Sequence, residues 1–173
     1  MPPTLQHEIE FWEAGHRTIA GIDEVGRGSL AGPVVAGAVV LPADRALCNI
    51  LRAAGLRDSK QLSALQRERL APLVEAIALG VAVGQASPSE IDRYGIVPAC
   101  HLAIERAICV LPCAVDAYLL DGFPYPGAPC PQRAIIRGDD ACLSIAAASV
   151  VAKVYRDRLM VAYDRTFPGY EFA

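Results

Sequence analysis

Positive charge is scarce in this sequence, and lysine is scarcer still. Lysine and arginine together number 16 against 19 aspartates and glutamates, which leaves a net charge of −3 at pH 7. Lys60 and Lys153 are the only lysines, so arginine carries nearly all of the positive charge. The overall charge therefore does not indicate a nucleic-acid partner, and any such partner would have to be held by a local basic patch.

Cysteine spacing and chain hydrophobicity exclude further classes. The six cysteines include no CxxC pair and the three histidines do not cluster with them, so we expect no zinc site. The N-terminal stretch MPPTLQHEIEFWEAG is polar and acidic, unlike a secretory signal or a transit peptide. The longest apolar stretches are interrupted well short of a membrane span. We therefore expect a cytoplasmic protein with reduced cysteines and no membrane segment.

The composition is that of a folded protein. Hydrophobic residues make up 53% of the chain and charged residues 20%, which is typical of a globular domain. A length of 173 residues suggests one domain, 1–173, with a sizeable core. A monomer is the default expectation.

Apolar periodicity predicts strands and helices in alternation. Two strands, 17–23 and 34–41, flank a glycine-rich turn at 26–33 and predict an antiparallel hairpin. Further strands are predicted at 81–87, 114–122 and 133–140, and helices at 5–14, 59–79, 101–111 and 144–167. Pro72 predicts a break in the second helix. This order indicates an α/β or α+β layer with a mixed sheet.

Acidic residues end three of the predicted strands. They are the pair Asp23-Glu24, then Asp121, then Asp139. Strand ends far apart in sequence can meet at one edge of a sheet, where ligands bind. Four converging carboxylates would repel one another unless cations lie between them, and oxygen-only ligation suits Mg²⁺ or Mn²⁺. Two such ions about 4 Å apart promote phosphodiester cleavage.

Each of these residues also has a plainer interpretation. Asp121-Gly122 is a common turn pair, and Asp140 is a candidate N-cap for the last helix, with Asp139 merely beside it. The segment GRGSLAG (26–32) is not GxGxxG, and a strand-like run follows it, so a dinucleotide site is not expected. Its glycines fit either a tight hairpin turn or a turn that approaches a sugar or phosphate closely.

Four long stretches carry a resemblance to a known family. They are GIDEVGRGSLAGPVVAGAVVL (21–41), LRDSKQLSALQRERL (56–70), LLDGF (119–123) and RGDDACLSIAAASVVAKVYRDRLM (137–160). They resemble, in order, the first motif, the Asp-Ser-Lys-x-Leu helix start, the Asp-Gly strand and the small-residue helix of ribonuclease HII, the type 2 family of ribonucleases H. Both lysines of the chain fall inside these motifs. The sibling family, ribonuclease HIII, usually has Gly-Thr-Gly where this chain has GRG.

The resemblance implies a ribonuclease H-like α/β fold, a mixed five-stranded sheet flanked by helices. It implies an endonuclease that cleaves the RNA strand of RNA–DNA hybrids and incises duplex DNA at embedded ribonucleotides, leaving a 5′-phosphate and a 3′-hydroxyl. The family's four catalytic carboxylates, holding two Mg²⁺ or Mn²⁺ ions, match Asp23, Glu24, Asp121 and Asp139. Its turn that contacts the ribose 2′-hydroxyl matches Gly26, Arg27 and Gly28, and Lys60 is expected to contact phosphate.

The end of the sequence departs from the family pattern. Family members continue after Pro-Gly-Tyr into a Lys-Gly-Tyr motif and a C-terminal helical segment, whereas this sequence ends at PGYEFA (168–173). The later family tyrosine stacks on the deoxyribose that follows the ribonucleotide, and Tyr170 belongs to the earlier motif. Two hypotheses therefore remain open: an active hybrid-cleaving nuclease, and a weakly active or inactive remnant that binds divalent metal and duplex.

Overall fold

A five-stranded mixed sheet forms the centre of the computed structural model, which describes residues 2–172. The strands are β1 (Ile19–Val25), β2 (Val34–Val40), β3 (Gly80–Ala86), β4 (Ala117–Asp121) and β5 (Gln132–Ile135). Their order across the sheet is β3-β2-β1-β4-β5. The β1–β2 and β2–β3 pairs are antiparallel, whereas β4 runs parallel to both β1 and β5. The predicted hairpin and the mixed sheet are confirmed.

Helices cover both faces of the sheet. They are α1 (Gln6–Glu13), α2 (Arg45–Ala53), α3 (Ala64–Ile77), α4 (Pro88–Tyr94), α5 (Ile96–Cys109), α6 (Gly138–Ala141) and α7 (Leu143–Thr166). One apolar core joins α1, α2, α3 and α7 to one face, and a second joins α5 to the other. In the part of the chain that the structure describes, no helix combines the length and apolar character needed to cross a bilayer.

The long helix α7 lies unusually close to the central strands. A Cβ atom added at Gly21 would lie 2.2 Å from the backbone carbon of Ser144, and one at Gly37 would lie 2.5 Å from the carbonyl oxygen of Ala148. Contacts that short require glycine on the strands and small residues on the helix. This close approach brings the first two turns of α7 beside the carboxyl end of β1.

The first turn of α7 is held by a distant acid. Cys142 occupies its N-cap position without a side-chain capping bond, and the carboxylate of Glu8 supplies the acceptor instead. Glu8 Oε1 accepts the backbone N–H of Ser144 at 2.7 Å and the thiol of Cys142 at 3.1 Å, with Glu8 only 1% exposed. Helix α1 thereby fixes the helix that lies along the sheet.

Several sequence predictions require correction. Pro72 does not break α3, because it lies on the exposed side of the helix while Leu70 and Val74 are buried. The predicted helix 59–79 is a 3₁₀ turn, Ser59–Gln61, followed by α3, which Ser63 caps. Helix α2 was not predicted. Asp140 does not cap α7; it pairs with Arg137 and accepts a hydrogen bond from Gln61.

Candidate active site

The carboxyl end of the central strand β1 carries two acids that point to opposite faces of the sheet. Asp23 lies on the α7 side, where it is 5% exposed and close to the hydroxyl of Ser149. Glu24 lies on the other side, towards Cys100 of α5. Burial and then the charge of Glu24 raise the pKa of the Cys100 thiol to about 11. The two acids are linked because the backbone N–H of Glu24 donates to Asp23 Oδ1 at 2.8 Å.

Asp121 ends the neighbouring parallel strand β4, as predicted. Asp139 does not end a strand: β5 stops at Ile135, and Arg137 adopts a left-handed conformation with φ of 56° that turns the chain into α6. The prediction of a strand through 133–140 is therefore wrong at its end. The turn nevertheless brings α6 to Asp121, whose Oδ1 accepts the N–H of Gly138 at 2.6 Å.

The acids of this edge destabilise one another in their charged forms. Burial, followed by the charge of Glu24, raises the pKa of Asp23 well above its usual value. Burial and then the charge of Asp121 raise the pKa of Glu24, and the same two causes raise the pKa of Asp139. Mutual electrostatic repulsion of this kind is expected where carboxylates converge without a cation between them.

Lys60 is the nearest positive charge to Asp139. Its Nζ lies 3.4 Å from Asp139 Oδ2. Burial lowers the pKa of Lys60 in part, but the charges of Asp139 and Asp58 outweigh it and the net shift is upward. Asp58 fixes the start of this segment, because its Oδ1 accepts the backbone N–H of Lys60 at 2.9 Å.

The 3₁₀ turn that carries Lys60 is joined to α7. The hydroxyl of Ser149 donates to the hydroxyl of Ser59 at 2.8 Å, and both side chains are buried. About two turns further along the helix, Asp157 accepts hydrogen bonds from Lys153 and from Arg67 of α3. Arg67 in turn donates to the carbonyl of Ser59 at 3.0 Å. These contacts hold the Asp-Ser-Lys segment against the face of α7 that looks towards Asp23.

The glycine turn after β1 is braced from behind by Arg156. This buried guanidinium donates to the carbonyls of Pro33 at 3.1 Å and Ala31 at 2.8 Å. On the front of the turn, the guanidinium carbon of Arg27 lies 4.5 Å from the centre of the Phe123 ring. Arg27 Nη1 is also 3.7 Å from Glu24 Oε1. The turn is therefore held on both sides, with Arg27 at the edge of the acidic site.

Most of the predicted site residues surround one cleft of about 410 Å³. Its wall comprises Asp23, Glu24, Val25, Gly26, Arg27, Gly28, Ser59, Lys60, Asp121, Ser149 and Lys153. Asp139 borders the cleft through its contact with Lys60. All eight residues singled out from the sequence thus lie in or beside a single depression at the carboxyl ends of β1 and β4.

The donor chemistry of the cleft suits a hard divalent cation. Its four acidic side chains offer only oxygen donors, and two of them, Asp23 and Asp139, are only 5% exposed. Within residues 2–172, no three His, Cys, Asp or Glu side chains are arranged together as a ready ligand set. Each acid instead has a partner within the protein. Asp23 accepts the N–H of Glu24, and Glu24 lies near Arg27. Asp121 accepts the N–H of Gly138, and Asp139 pairs with Lys60. The residues fit such an ion by type and burial, and these partners are what it would displace.

Sequence reasoning missed several side chains that shape the cleft. Asp58 and Ser59 stood in the quoted Asp-Ser-Lys motif, but only Lys60 was singled out from it. Phe123 and Arg156 touch the glycine turn only in three dimensions, and Arg156 lies 123 residues from the Pro33 carbonyl that it contacts. A buried arginine in the half of α7 that follows its small-residue start was the one local signal for Arg156.

Comparison with known proteins gives consistent matches. Residues 20–173 match the family model described as Ribonuclease HII. The chain is 52% identical over 174 residues to "Ribonuclease HII" of Chloroflexus aurantiacus, which covers 100% of this chain and 81% of that protein. Among solved structures it is similar to ribonuclease H2 of Pyrococcus horikoshii OT3, with a TM-score of 0.72, 27% identity and coverage of 90% of this chain and 82% of the other. It is also similar to a chain of the PCNA:RNase HII complex of Archaeoglobus fulgidus, with a TM-score of 0.73, 26% identity and coverage of 88% and 79%. The five-stranded mixed sheet is thus the fold of these ribonucleases H.

Proposed function

Since the chain belongs to the ribonuclease HII family, we propose that it is an endoribonuclease that cleaves the RNA strand of RNA–DNA hybrids. We further propose that it incises duplex DNA at single embedded ribonucleotides. The observation that supports this most strongly is the cleft at the carboxyl ends of β1 and β4. Acids from both strands, the glycine turn and Lys60 all contribute to its wall.

In this proposal Asp23, Glu24, Asp121 and Asp139 hold two divalent ions, Mg²⁺ or Mn²⁺. Bound there, such ions would supply activation of a water molecule for attack on the phosphodiester and stabilisation of the leaving oxygen, which would give a 5′-phosphate and a 3′-hydroxyl. Burial and mutual repulsion raise the pKa of Asp23, Glu24 and Asp139. A cation bound between these carboxylates would reduce their repulsion and stabilise their charged forms. Lys60 pairs with Asp139, and an ion that displaced it would leave its ammonium available to contact a phosphate oxygen.

The turn Gly26-Arg27-Gly28 is proposed to contact the ribose. Its backbone lines the same cleft as the acids, so its N–H and C=O groups are available to a sugar placed over them. The 2′-hydroxyl, both donor and acceptor, is the group by which a protein distinguishes RNA from DNA at a given position. Arg156 keeps this backbone fixed from behind.

We propose that residues 1–173 work as a single catalytic domain and as a monomer. The expected setting is the cytoplasm, where removal of misincorporated ribonucleotides from DNA, ribonucleotide excision repair, would use both proposed activities. The expected partners are RNA–DNA hybrid and ribonucleotide-containing duplex.

A cleavage assay with paired variants tests the proposal. The substrates are an RNA–DNA hybrid, a DNA duplex with one ribonucleotide and an all-DNA duplex, each with Mg²⁺ and with Mn²⁺. Wild type should cut the first two and spare the third. Asp139→Asn should abolish cutting, while Asp140→Asn should retain it, because Asp140 pairs with Arg137 and Gln61 outside the cleft. Equal loss in both variants would refute the assignment of Asp139.

A second candidate function is binding of metal and duplex without turnover. It is favoured because the described residues hold no ready set of three ligands, so an ion bound by fewer of the acids would lack the two-ion arrangement that turnover requires. The same substrates separate the two candidates. If the protein binds hybrid and metal but releases no product with either Mg²⁺ or Mn²⁺, the binding function is supported and the nuclease function is refuted.

A further inference from the structure

The residue directly after Asp121-Gly122 is an aromatic side chain in contact with Arg27 of the turn Gly26-Arg27-Gly28, which is called the substrate turn below. Phe123 is half-buried, and the Arg27 guanidinium carbon lies 4.5 Å from its ring centre. A guanidinium this close to an aromatic ring is held by cation–π attraction. Phe123 therefore connects the end of β4 to the turn after β1.

The ring of Phe123 is fixed by the chain around it. Its backbone N–H donates to the carbonyl of Asp121 at 2.8 Å, which ties the residue to the strand end. The His101 ring of α5 has its centroid 6.1 Å from that of Phe123 and 6.0 Å from that of Tyr125. Tyr125 is itself held by Gln132, which exchanges hydrogen bonds with its backbone N–H and C=O at 2.9 and 2.8 Å.

Arg27 needs such a support if it is to act at a defined place. Its side chain is 43% exposed, and its charged neighbour Glu24 lies at 3.7 Å, beyond good hydrogen-bond distance. An exposed arginine without a fixed surface samples many rotamers, and ordering it on binding costs free energy. A guanidinium stacked on a ring keeps its edge N–H groups free, and those groups match the oxygens of a phosphate.

We propose that Phe123 is a positioning residue for the substrate turn. Its ring holds the Arg27 guanidinium flat at the wall of the cleft, so that the edge donors meet a backbone phosphate beside the ribonucleotide. This inference rests on the proposed function, because it assigns the phosphate to the nucleic-acid substrate of the same site. The competing role for this half-buried ring, direct stacking on a base, is separated from it by the experiment.

The experiment compares variants that remove the ring with variants that keep it. Phe123→Leu and Phe123→Met remove the aromatic face, while Phe123→Tyr and Phe123→Trp retain it. Binding to an RNA–DNA hybrid and to a single-ribonucleotide duplex is measured over a range of salt concentrations. Ca²⁺ replaces Mg²⁺, since its longer ligand distances are not expected to support turnover.

Loss of the ring should weaken binding by roughly two- to fivefold, the size expected for one exposed cation–π contact. It should also reduce the slope of log K against log salt by up to about 0.9, since one phosphate contact is lost. Tyr and Trp should restore both values. Arg27→Gln should reproduce the effect, and Phe123→Leu added to Arg27→Gln should weaken binding no further.

Two results would overturn the inference. An unchanged salt slope in Phe123→Leu would show that no phosphate contact depends on the ring. Additive losses in the double variant would assign the ring to a base. If Phe123→Leu and Phe123→Met melt below the assay temperature, Arg27→Lys tests the same contact from an exposed position, because an ammonium group cannot lie flat on a ring. Unchanged binding in Arg27→Lys would overturn the inference.

These readouts do not depend on cleavage. A wild type that binds hybrid but never cuts would end the nuclease proposal while leaving the contact between ring and arginine testable. A wild type that cuts while Phe123→Leu binds with full affinity and full salt slope would end this inference alone.

Discussion

Gly26 and Gly28 flank Arg27 in the turn after the central strand, but an added methyl group would meet different surroundings at the two positions. Gly26 has a φ of +99°, and its Cβ would lie 2.6 Å from both Arg156 Nε and the carbonyl oxygen of Pro33. At Gly28 no heavy atom lies within 4 Å of the Cβ position. The pair therefore separates the folding role of the turn from its role in substrate binding.

The cost of Gly26→Ala follows from these contacts. A left-handed conformation costs an L-residue roughly 1–2 kcal/mol. Displacing Arg156 from the Pro33 carbonyl costs about 1–2 kcal/mol more, as a hydrogen bond from a charged group is lost. We therefore expect Gly26→Ala to lower the free energy of unfolding by about 2–4 kcal/mol and the melting temperature by roughly 4–16 °C for a domain of this size. Gly28→Ala should stay within about 1 kcal/mol of wild type.

The activities should change differently. Gly28 lines the cleft where the ribose is proposed to lie, and its added methyl group would meet no protein atom within 4 Å. A misplacement of about 1 Å in a reacting complex can cost ~100-fold, so we expect incision at a single ribonucleotide to fall by about 10- to 100-fold. Thermal melting and initial cleavage rates of the three proteins decide the matter. The reasoning is refuted if Gly28→Ala cleaves like wild type, or if it loses stability in proportion to activity.

Local sequence patterns were sufficient for much of the sheet. The hairpin of β1 and β2 was predictable because two apolar runs flank a glycine turn. Pro72 shows where such rules stop. Proline usually breaks a helix, but here its ring lies on the solvent side and the buried face of α3 is uninterrupted. Tertiary packing outweighed the local preference.

The site was predictable in its residue types but not in its geometry. Apolar periodicity could not show that Arg137 turns the chain out of β5, so Asp139 was expected at a strand end and lies instead in α6. Phe123 and Arg156 contact the glycine turn from segments distant in sequence. Such contacts follow from how α7 and the loop after β4 pack on the sheet, which no local pattern encodes.

Three further predictions concern carboxylates. Asp121→Asn should abolish cleavage but preserve the fold, because the amide oxygen can still accept the N–H of Gly138; near-normal turnover by a variant that melts like wild type would contradict a catalytic role. Burial and the charge of Glu24 raise the pKa of Asp23. A carboxyl whose pKa is raised in the folded state stabilises the fold fully below its unfolded pKa. It loses that contribution as the pH rises through its folded pKa. Without divalent ions, the stability of Asp23→Asn relative to wild type should therefore grow from about pH 4 upward, and a difference independent of pH would count against this pKa. Glu8 gives the last prediction, because it replaces the missing side-chain cap of α7 and is 1% exposed. Glu8→Ala removes the acceptor of the Ser144 N–H and should cost about 1–3 kcal/mol in urea unfolding, whereas Glu8→Gln keeps an acceptor oxygen and should cost less. Equal stability of Glu8→Ala and wild type would show that the buried carboxylate does not hold the helix.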